Sequence, residues 1–84
     1  MTQQPGVGSR RRYLLGNAVR ARRLSLGLTQ EQVVERADID RKTLSRLENG
    51  HTGTSIDVVW VVADALECAP AELFEAAAEL TEGS

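Results

Sequence analysis

Apolar side chains recur at helical intervals along the chain, and the longest segments show this spacing rather than the alternation typical of strands. Leu15, Val19 and Leu26 share one side of a first predicted helix, which runs from about Arg10 to Leu26. Gly27 follows directly and suits a left-handed C-terminal cap. The pattern predicts an all-α fold of about five short helices.

A second helix is predicted to begin at Thr29, whose hydroxyl can cap the free amide groups of its first turn. Gln32 stands at the matching position of a capping box. Leu28 before the cap and Val33 inside the helix are spaced as a hydrophobic staple. Together these signals define the start of the second helix.

Asp40 provides the same kind of cap for a third helix, with Ile39 and Leu44 as its staple and Gly50 at its end. Only Asp38 and Ile39 stand between the second helix and this cap. A connection this short makes two helices pack at a steep angle, which predicts a helix-turn-helix.

A fourth helix is predicted from a capping box of Thr54 and Asp57 to about Leu66, and Pro70 suits the first position of a fifth. The expected core stripe of the fourth helix is Ile56, Val59, Val62, Ala63 and Leu66. Leu73, Phe74 and Ala77 of the fifth helix are expected to face inward. Residues 1–9 are expected to form a flexible arm, residues 10–80 the folded domain and residues 81–84 a frayed tail.

The remaining apolar side chains of the fourth helix form a surface that a small domain seldom leaves without a partner. We expect a symmetric homodimer through this surface, although the last helix folding over it is an alternative. The expected interface residues are Val58, Trp60, Val61 and Ala65.

The charges are divided unevenly along the 84 residues, whose net charge is −2. Residues 1–50 hold all ten Lys and Arg with five acids, whereas residues 51–84 hold seven acids and neither Lys nor Arg. This division indicates that one end of the domain meets a polyanion, although uneven scattering for solubility would give the same totals.

The composition argues against an enzyme, a metalloprotein or a membrane protein. A single cysteine, Cys68, leaves no partner for an internal disulfide, and a lone His51 provides no set of zinc ligands. Cys68 is expected to fill an apolar core position. No apolar run approaches the roughly 20 residues that span a bilayer, and nothing resembles a signal peptide. We therefore expect a soluble cytoplasmic protein without a metal or other cofactor.

From Thr29 to Gly50 the chain reads TQEQVVERADIDRKTLSRLENG, which resembles the helix-turn-helix of the lambda-repressor and Cro-like family, also called the XRE family. The resemblance extends over about residues 15–74. Two positions depart from the family pattern, because Val34 stands where alanine is usual and Asp38 where the turn usually has glycine. Asp tolerates left-handed backbone angles better than most residues, so the turn is expected to survive.

The resemblance implies that the third helix, from about Asp40 to Asn49, reads base edges in the major groove of DNA. The residues it places at the bases are Arg41, Lys42, Thr43 and Arg46. The alternative is that these are ordinary solvated side chains on an exposed face.

Contacts to the DNA backbone are expected around this helix. Gln30 resembles the family's phosphate-contacting glutamine at the positive end of the second helix. Arg23 and Glu48 match positions that pair with each other in the family, which implies a structural ion pair. For the basic residues near the start of the chain, simple solubility is an equal alternative, as a plain surface position is for His51. The candidate phosphate contacts are Thr29, Gln30, Asn49, His51, Arg10, Arg11 and Arg12.

The implied function is that of a transcriptional regulator, a repressor or controller, which binds a palindromic double-stranded DNA operator as a homodimer and associates with the nucleoid when bound. The alternative is an antitoxin or protein-interaction module of the same fold, with a toxin or another regulator as its partner. The cationic set Arg41, Lys42 and Arg46 favours DNA, since a purely structural domain does not require it. The acidic side chains of the fifth helix, Glu72, Glu75, Glu79 and Glu82, are expected to serve solvation or to repel DNA from that end.

Overall fold

The computed structural model describes residues 7–82, which contain five α-helices and no strand. The all-α prediction is therefore confirmed over this range. The helices are α1 (Val7–Ser25), α2 (Gln30–Ala37), α3 (Arg41–Glu48), α4 (Ile56–Ala65) and α5 (Pro70–Glu82).

Both outer helices are longer than the sequence predicted. Helix α1 begins at Val7 instead of about Arg10, so the expected arm loses its last three residues to the helix. A hydrogen bond from Arg12 Nη2 to the Ser9 hydroxyl, 3.0 Å long, supports this first part of α1. Helix α5 continues to Glu82, because no glycine or proline interrupts it before Gly83. Residues 1–6 and 83–84 of the expected arm and tail lie outside the described residues.

The side-chain caps of α2 and α3 agree with the prediction. The Thr29 hydroxyl accepts from the Gln32 amide at 3.1 Å, and the Gln32 side chain accepts from the Thr29 amide at 2.8 Å, which completes the capping box. The Asp40 carboxylate accepts from the Thr43 amide at 2.7 Å. Hydrogen bonds from Thr43, through its hydroxyl and then its backbone amide, hold the pKa of Asp40 below its usual value.

The cap of α4 was predicted at the wrong residue. Ser55, not Thr54, caps this helix, and its hydroxyl accepts from the Val58 amide at 3.2 Å. With the helix start moved by one position, Asp57 no longer stands at the third helical position, where a capping box needs its acceptor. Val58 stands there instead and has no polar side chain.

Each of the four connections between consecutive helices turns through a residue with a positive φ that stands one or two positions after the end of the preceding helix. These residues are Gly27, Asp38, Gly50 and Glu67, with φ of 70°, 57°, 74° and 60°. In each turn the following amide reaches back to a carbonyl five residues earlier, as from Cys68 to Ala63 at 3.0 Å. This is the hydrogen bond of a Schellman motif. Asp38 and Glu67 adopt the conformation despite their Cβ atoms, and for Asp38 this was expected.

The core lies between all five helices, with α1 packed along α5 and against α3, and with α4 packed between α2 and α5. Because α4 has neighbours on two sides, its buried sector is wider than a single stripe. Ala65 is only 5% exposed, so it belongs to the core and not to a dimer surface. The predicted inward positions of Ile56 and Phe74 were wrong, since these side chains are 72% and 53% exposed at the edge of the core. Cys68 packs half-buried against the core.

Two arginines from other helices hold the C-terminal end of α4. Arg22 of α1 donates to the carbonyls of Leu66 at 3.0 Å and Glu67 at 3.1 Å. Arg36 of α2 donates to the carbonyl of Ala65 at 3.2 Å. Helix α4 has no basic residue in its own last turn, so these guanidinium groups satisfy its terminal carbonyls and oppose its dipole. Arg22 and Arg36 therefore have structural roles.

Replacing Glu67 with glycine should stabilise the protein relative to Glu67→Ala by about 1 kcal/mol, because only glycine adopts the left-handed conformation without a steric cost. The alanine variant is the matched control, since both substitutions remove the exposed ion pair with Arg36, which contributes little. Urea unfolding of the two variants measures the difference. A glycine variant no more stable than the alanine variant would contradict the assignment of strain to this position.

Candidate nucleic-acid interface

Helix α3 is anchored on one side and open on the other. Leu44, Leu47 and Glu48 are buried, whereas Arg41 and Lys42 are exposed in the first turn. Arg46 is exposed one turn later, and Thr43 is half-buried. Within the described part of the chain, no other helix covers the cationic side that was predicted to face DNA.

The C-terminal end of α3 is held by a buried ion pair. Arg23 Nε donates to Glu48 Oε2 at 2.7 Å, and Arg23 Nη2 donates to Glu48 Oε1 at 3.1 Å. The third nitrogen of the same guanidinium, Nη1, donates to the carbonyl of Leu28 at 2.9 Å. The expected Arg23–Glu48 pair is thus present, and it ties α1 to α3 and to the segment before α2.

Gly16 and Gly50 allow α1 to lie directly against the end of α3. A Cβ atom on Gly16 would stand 2.5 Å from the carbonyl oxygens of both Leu47 and Glu48. A Cβ atom on Gly50 would stand 2.8 Å from Tyr13 Cα, and Gly50 also has a positive φ. Gly16 was not singled out from the sequence. A glycine inside a predicted helix is costly, and this was the signal of a close backbone approach.

The predicted base-contacting arginines already have partners within the protein. Arg41 Nη1 lies 3.7 Å from Glu31 Oε1, and both side chains are largely exposed. Arg46 Nη2 donates to the carbonyl of Thr52 at 2.8 Å, which links α3 to the loop before α4. Each guanidinium carries five N–H donors, so one such contact leaves most of the fork able to reach another acceptor.

Four of the predicted phosphate contacts lie near the start of α2 or the end of α3. The Gln30 side chain donates from Nε2 to Glu48 Oε1 at 3.0 Å, and Thr29 serves as the helix cap. Asn49 Nδ2 donates to the carbonyl of Ser45 at 2.8 Å, and the His51 side chain is exposed. The amides of residues 30 and 31 precede the first intrahelical bond, from the Val33 amide to the Thr29 carbonyl, and are suited to bind an anion.

The basic residues near the start of the chain belong to α1, not to a flexible arm. Arg10 and Arg11 are exposed. Arg12 is half-buried, and its Nε lies 3.4 Å from the carbonyl of Gly50, which it contacts as a donor. These three side chains are therefore presented by a helix, and their contact with DNA phosphates stays a prediction.

The described residues contain no group of three His, Cys, Asp or Glu side chains placed to hold a metal ion. Burial raises the pKa of the Cys68 thiol, which favours its protonated and less reactive form. None of the described helices combines the length and the apolar character needed to cross a membrane.

A family model described as helix-turn-helix matches residues 19–73 of the chain. The competence pilus inhibition repressor of Acinetobacter baylyi is 33% identical over 60 residues, which cover 71% of this chain and 54% of that protein. The chain therefore spans about half the length of this curated relative.

Solved structures of gene regulators share the arrangement. The clp gene regulator ClgR from Corynebacterium glutamicum is 30% identical with a TM-score of 0.76, covering 82% of this chain and 90% of that one. The restriction-modification controller C.AhdI from Aeromonas hydrophila is 29% identical with a TM-score of 0.70, covering 74% and 94%. The controller C.Esp1396I, 20% identical with a TM-score of 0.79 and coverage of 88% and 96%, shows the fold alone. The five-helix architecture and the family resemblance predicted from the sequence are confirmed.

Removing the buried carboxylate should destabilise the fold strongly. Glu48→Ala leaves the Arg23 guanidinium buried without its counterion, which costs about 3–5 kcal/mol. The melting temperature should fall sharply, whereas Glu35→Ala, at an exposed position of α2, should change stability by less than about 0.5 kcal/mol. An unchanged melting curve for Glu48→Ala would remove the structural role of this pair.

Proposed function

The chain belongs to the XRE family of helix-turn-helix proteins, and from this premise we propose that it is a sequence-specific regulator of transcription that reads the major groove of double-stranded DNA with α3. Its family and fold are those of regulatory DNA-binding proteins rather than of enzymes.

The observation that carries this proposal is the two-sided character of α3. Lys42 and Arg46 are four residues apart and so share one exposed side, with Arg41 beside them in the first turn. The opposite side is fixed by buried Leu44 and Leu47. A helix that is fixed on one side and carries exposed cationic side chains on the other suits readout of base edges, where an arginine or lysine on guanine discriminates by about 1–3 kcal/mol.

Repression or control of a promoter is the regulatory role that we propose. The similar proteins carry the names competence pilus inhibition repressor, clp gene regulator and restriction-modification controller. Those names describe the other proteins, and they support a regulator that acts by occupying its operator.

We propose that the operator is palindromic and is bound by a homodimer, whose surface differs in part from the predicted one. Ile56 and Trp60 are exposed on adjacent turns of α4, and Ile56 lines a groove of about 220 Å³ together with the exposed Phe74 of α5. Val58 and Val61 are half-buried against the core and take a smaller part than expected. Two copies related by a two-fold axis would place two α3 helices on successive half-sites.

Selection of bound sequences from random DNA should recover a defined site. Arg46→Ala should lower affinity for that site by about 1–3 kcal/mol and relax the preference at one base position, because it removes a contact to a base edge. Lys42→Ala should relax a neighbouring position, whereas Gln30→Ala should weaken all duplexes alike.

Arg36→Ala is the control for that experiment, since it removes an arginine that is engaged at the end of α4. It should leave the recovered sequence unchanged. Selection that returns no sequence preference, or wild-type protein that ignores every duplex, would disprove the proposed function.

Sedimentation at micromolar concentration should show a dimer, and Trp60→Glu should shift it to the monomer, because a carboxylate would be buried in the apolar interface. Leu24→Glu is the matched control, since Leu24 is 59% exposed on α1 and Trp60 is 54% exposed on α4. Wild-type protein that stays monomeric and still binds its operator cooperatively would argue against a preformed dimer.

A further inference from the structure

Three side chains from two helices contact one oxygen atom of Glu48. Oε1 accepts from Arg23 Nη2 at 3.1 Å and from Gln30 Nε2 at 3.0 Å. Arg20, one turn before Arg23 in α1, places its Nε 3.7 Å from the same oxygen. Arg20 and Gln30 therefore lie next to each other, although ten positions separate them in the sequence.

The four side chains differ in their access to solvent. The Glu48 side chain is fully buried and that of Arg23 is 10% exposed, whereas that of Arg20 is 51% exposed and Gln30 is half-buried. Two guanidinium groups and one carboxylate leave a single positive charge, and the exposed partner, Arg20, presents it to solvent. The part of the cluster that solvent reaches is therefore the Arg20 guanidinium beside the Gln30 amide, and the Glu48 carboxylate is buried beneath them.

The exposed donors of this cluster suit an anion with several oxygen atoms. The amide nitrogen of Gln30 has a second N–H beyond the one given to Glu48, and the guanidinium of Arg20 has its terminal N–H groups. The backbone amides of the first turn of α2 begin at the same residue, Gln30. Because Arg20 Nε and Gln30 Nε2 lie 3.7 and 3.0 Å from the same oxygen atom, the two side chains are close enough for one phosphate group to meet donors of both.

We propose that Arg20 and Gln30 together bind one backbone phosphate of the DNA, and that Glu48 Oε1 positions both side chains for it. The proposal rests on the proposed function, since the phosphate belongs to the duplex that α3 reads. Gln30 was expected to contact a phosphate, but Arg20 was not singled out from the sequence. The new element is a second, charged residue that completes the same contact.

The geometry of Arg20 argues against a purely structural role. Its distance of 3.7 Å from Oε1 exceeds that of a good N–H···O bond, and half of its side chain is in solvent. A contact this long, made by a half-exposed arginine to a carboxylate that Arg23 already pairs, adds little to stability. The Glu48 carboxylate already accepts hydrogen bonds from Arg23 and Gln30, so the Arg20 guanidinium remains able to bind another anion.

The test is Arg20→Gln, measured by equilibrium binding to the selected operator and to an unrelated duplex over a series of salt concentrations. Affinity should fall about tenfold for both duplexes, because a phosphate contact carries no sequence information. The slope of log affinity against log salt should decrease in magnitude by about 0.9, the value for one lost phosphate neutralisation. The melting temperature should stay within a few degrees of the wild type, because Arg23 still pairs with the Glu48 carboxylate in this variant.

Arg36→Gln is the matched control, because it removes the same charge from a side chain that is 46% exposed and bound at the far end of α4. It should leave the salt slope unchanged. Equal slopes for both variants and the wild type, with operator binding intact, would overturn the phosphate role of Arg20 while leaving the proposed function standing. Wild-type protein that binds no duplex would instead remove the proposed function itself.

A double-variant cycle tests whether the two residues share one phosphate. The combined loss in Arg20→Gln/Gln30→Ala should be smaller than the product of the two separate losses, because either change alone already weakens the shared contact. Strictly multiplicative losses would contradict a common phosphate. Saturable, Arg20-dependent binding of inorganic phosphate at submillimolar concentration, without an effect of the variant on DNA, would assign the site to the free anion and overturn the proposal.

Discussion

The placement of α3 depends on the buried carboxylate of Glu48. Apolar packing of Leu44 and Leu47 holds α3 to the core, but such contacts have little directional preference. The two hydrogen bonds from Arg23, at 2.7 and 3.1 Å, fix the end of α3 in angle and distance relative to α1. An apolar pair of equal volume would provide similar stability in many proteins, so we attribute to this ion pair the orientation of α3 more than net stability. Gly16 makes the arrangement possible, because any larger residue would push α1 away from the carbonyls of Leu47 and Glu48.

Some of the basic residues in the first half of the chain stabilise the fold, and others stay exposed on its surface. Arg23 neutralises a carboxylate inside the fold, and Arg22 and Arg36 bind the carbonyl groups at the end of α4. These three cations serve the protein itself, and α4, which has no basic residue in its last turn, depends on two of them. The excess of bases in the first half of the chain is thus partly a requirement of the fold. The remaining bases include Lys42 and Arg46, which are exposed on the open side of α3.

Local signals were sufficient to predict most of the fold, whereas contacts between distant segments were not predictable in the same way. Thr29 and Asp40 were identified as caps because a cap depends on residues within the same turn. Ser55 was missed because Thr54 beside it carries an equally suitable hydroxyl, and the choice between them depends on how α4 packs. Phe74 was assigned to the interior because helical periodicity shows which side of a helix faces the core but not how far along the helix the neighbouring helices cover that side.

Within the site, the Arg23–Glu48 pair was predicted from the family resemblance. The position of Arg20 beside Gln30 had no sequence signal, since it exists only after α1 and α2 meet at Glu48.

The same carboxylate that orients α3 also stands behind the side chains that we propose bind the DNA backbone. A negative charge close to a phosphate would repel it if the charge were exposed. Burial of Glu48 and its pairing with Arg23 remove this repulsion, because a phosphate at the proposed position would meet only the exposed donors. The orientation of α3 and the placement of the proposed backbone contact are therefore coupled through one residue. Substitution of Glu48 alters both properties together, whereas Arg20 is outside the buried pair and allows the backbone contact to be changed while the fold is kept.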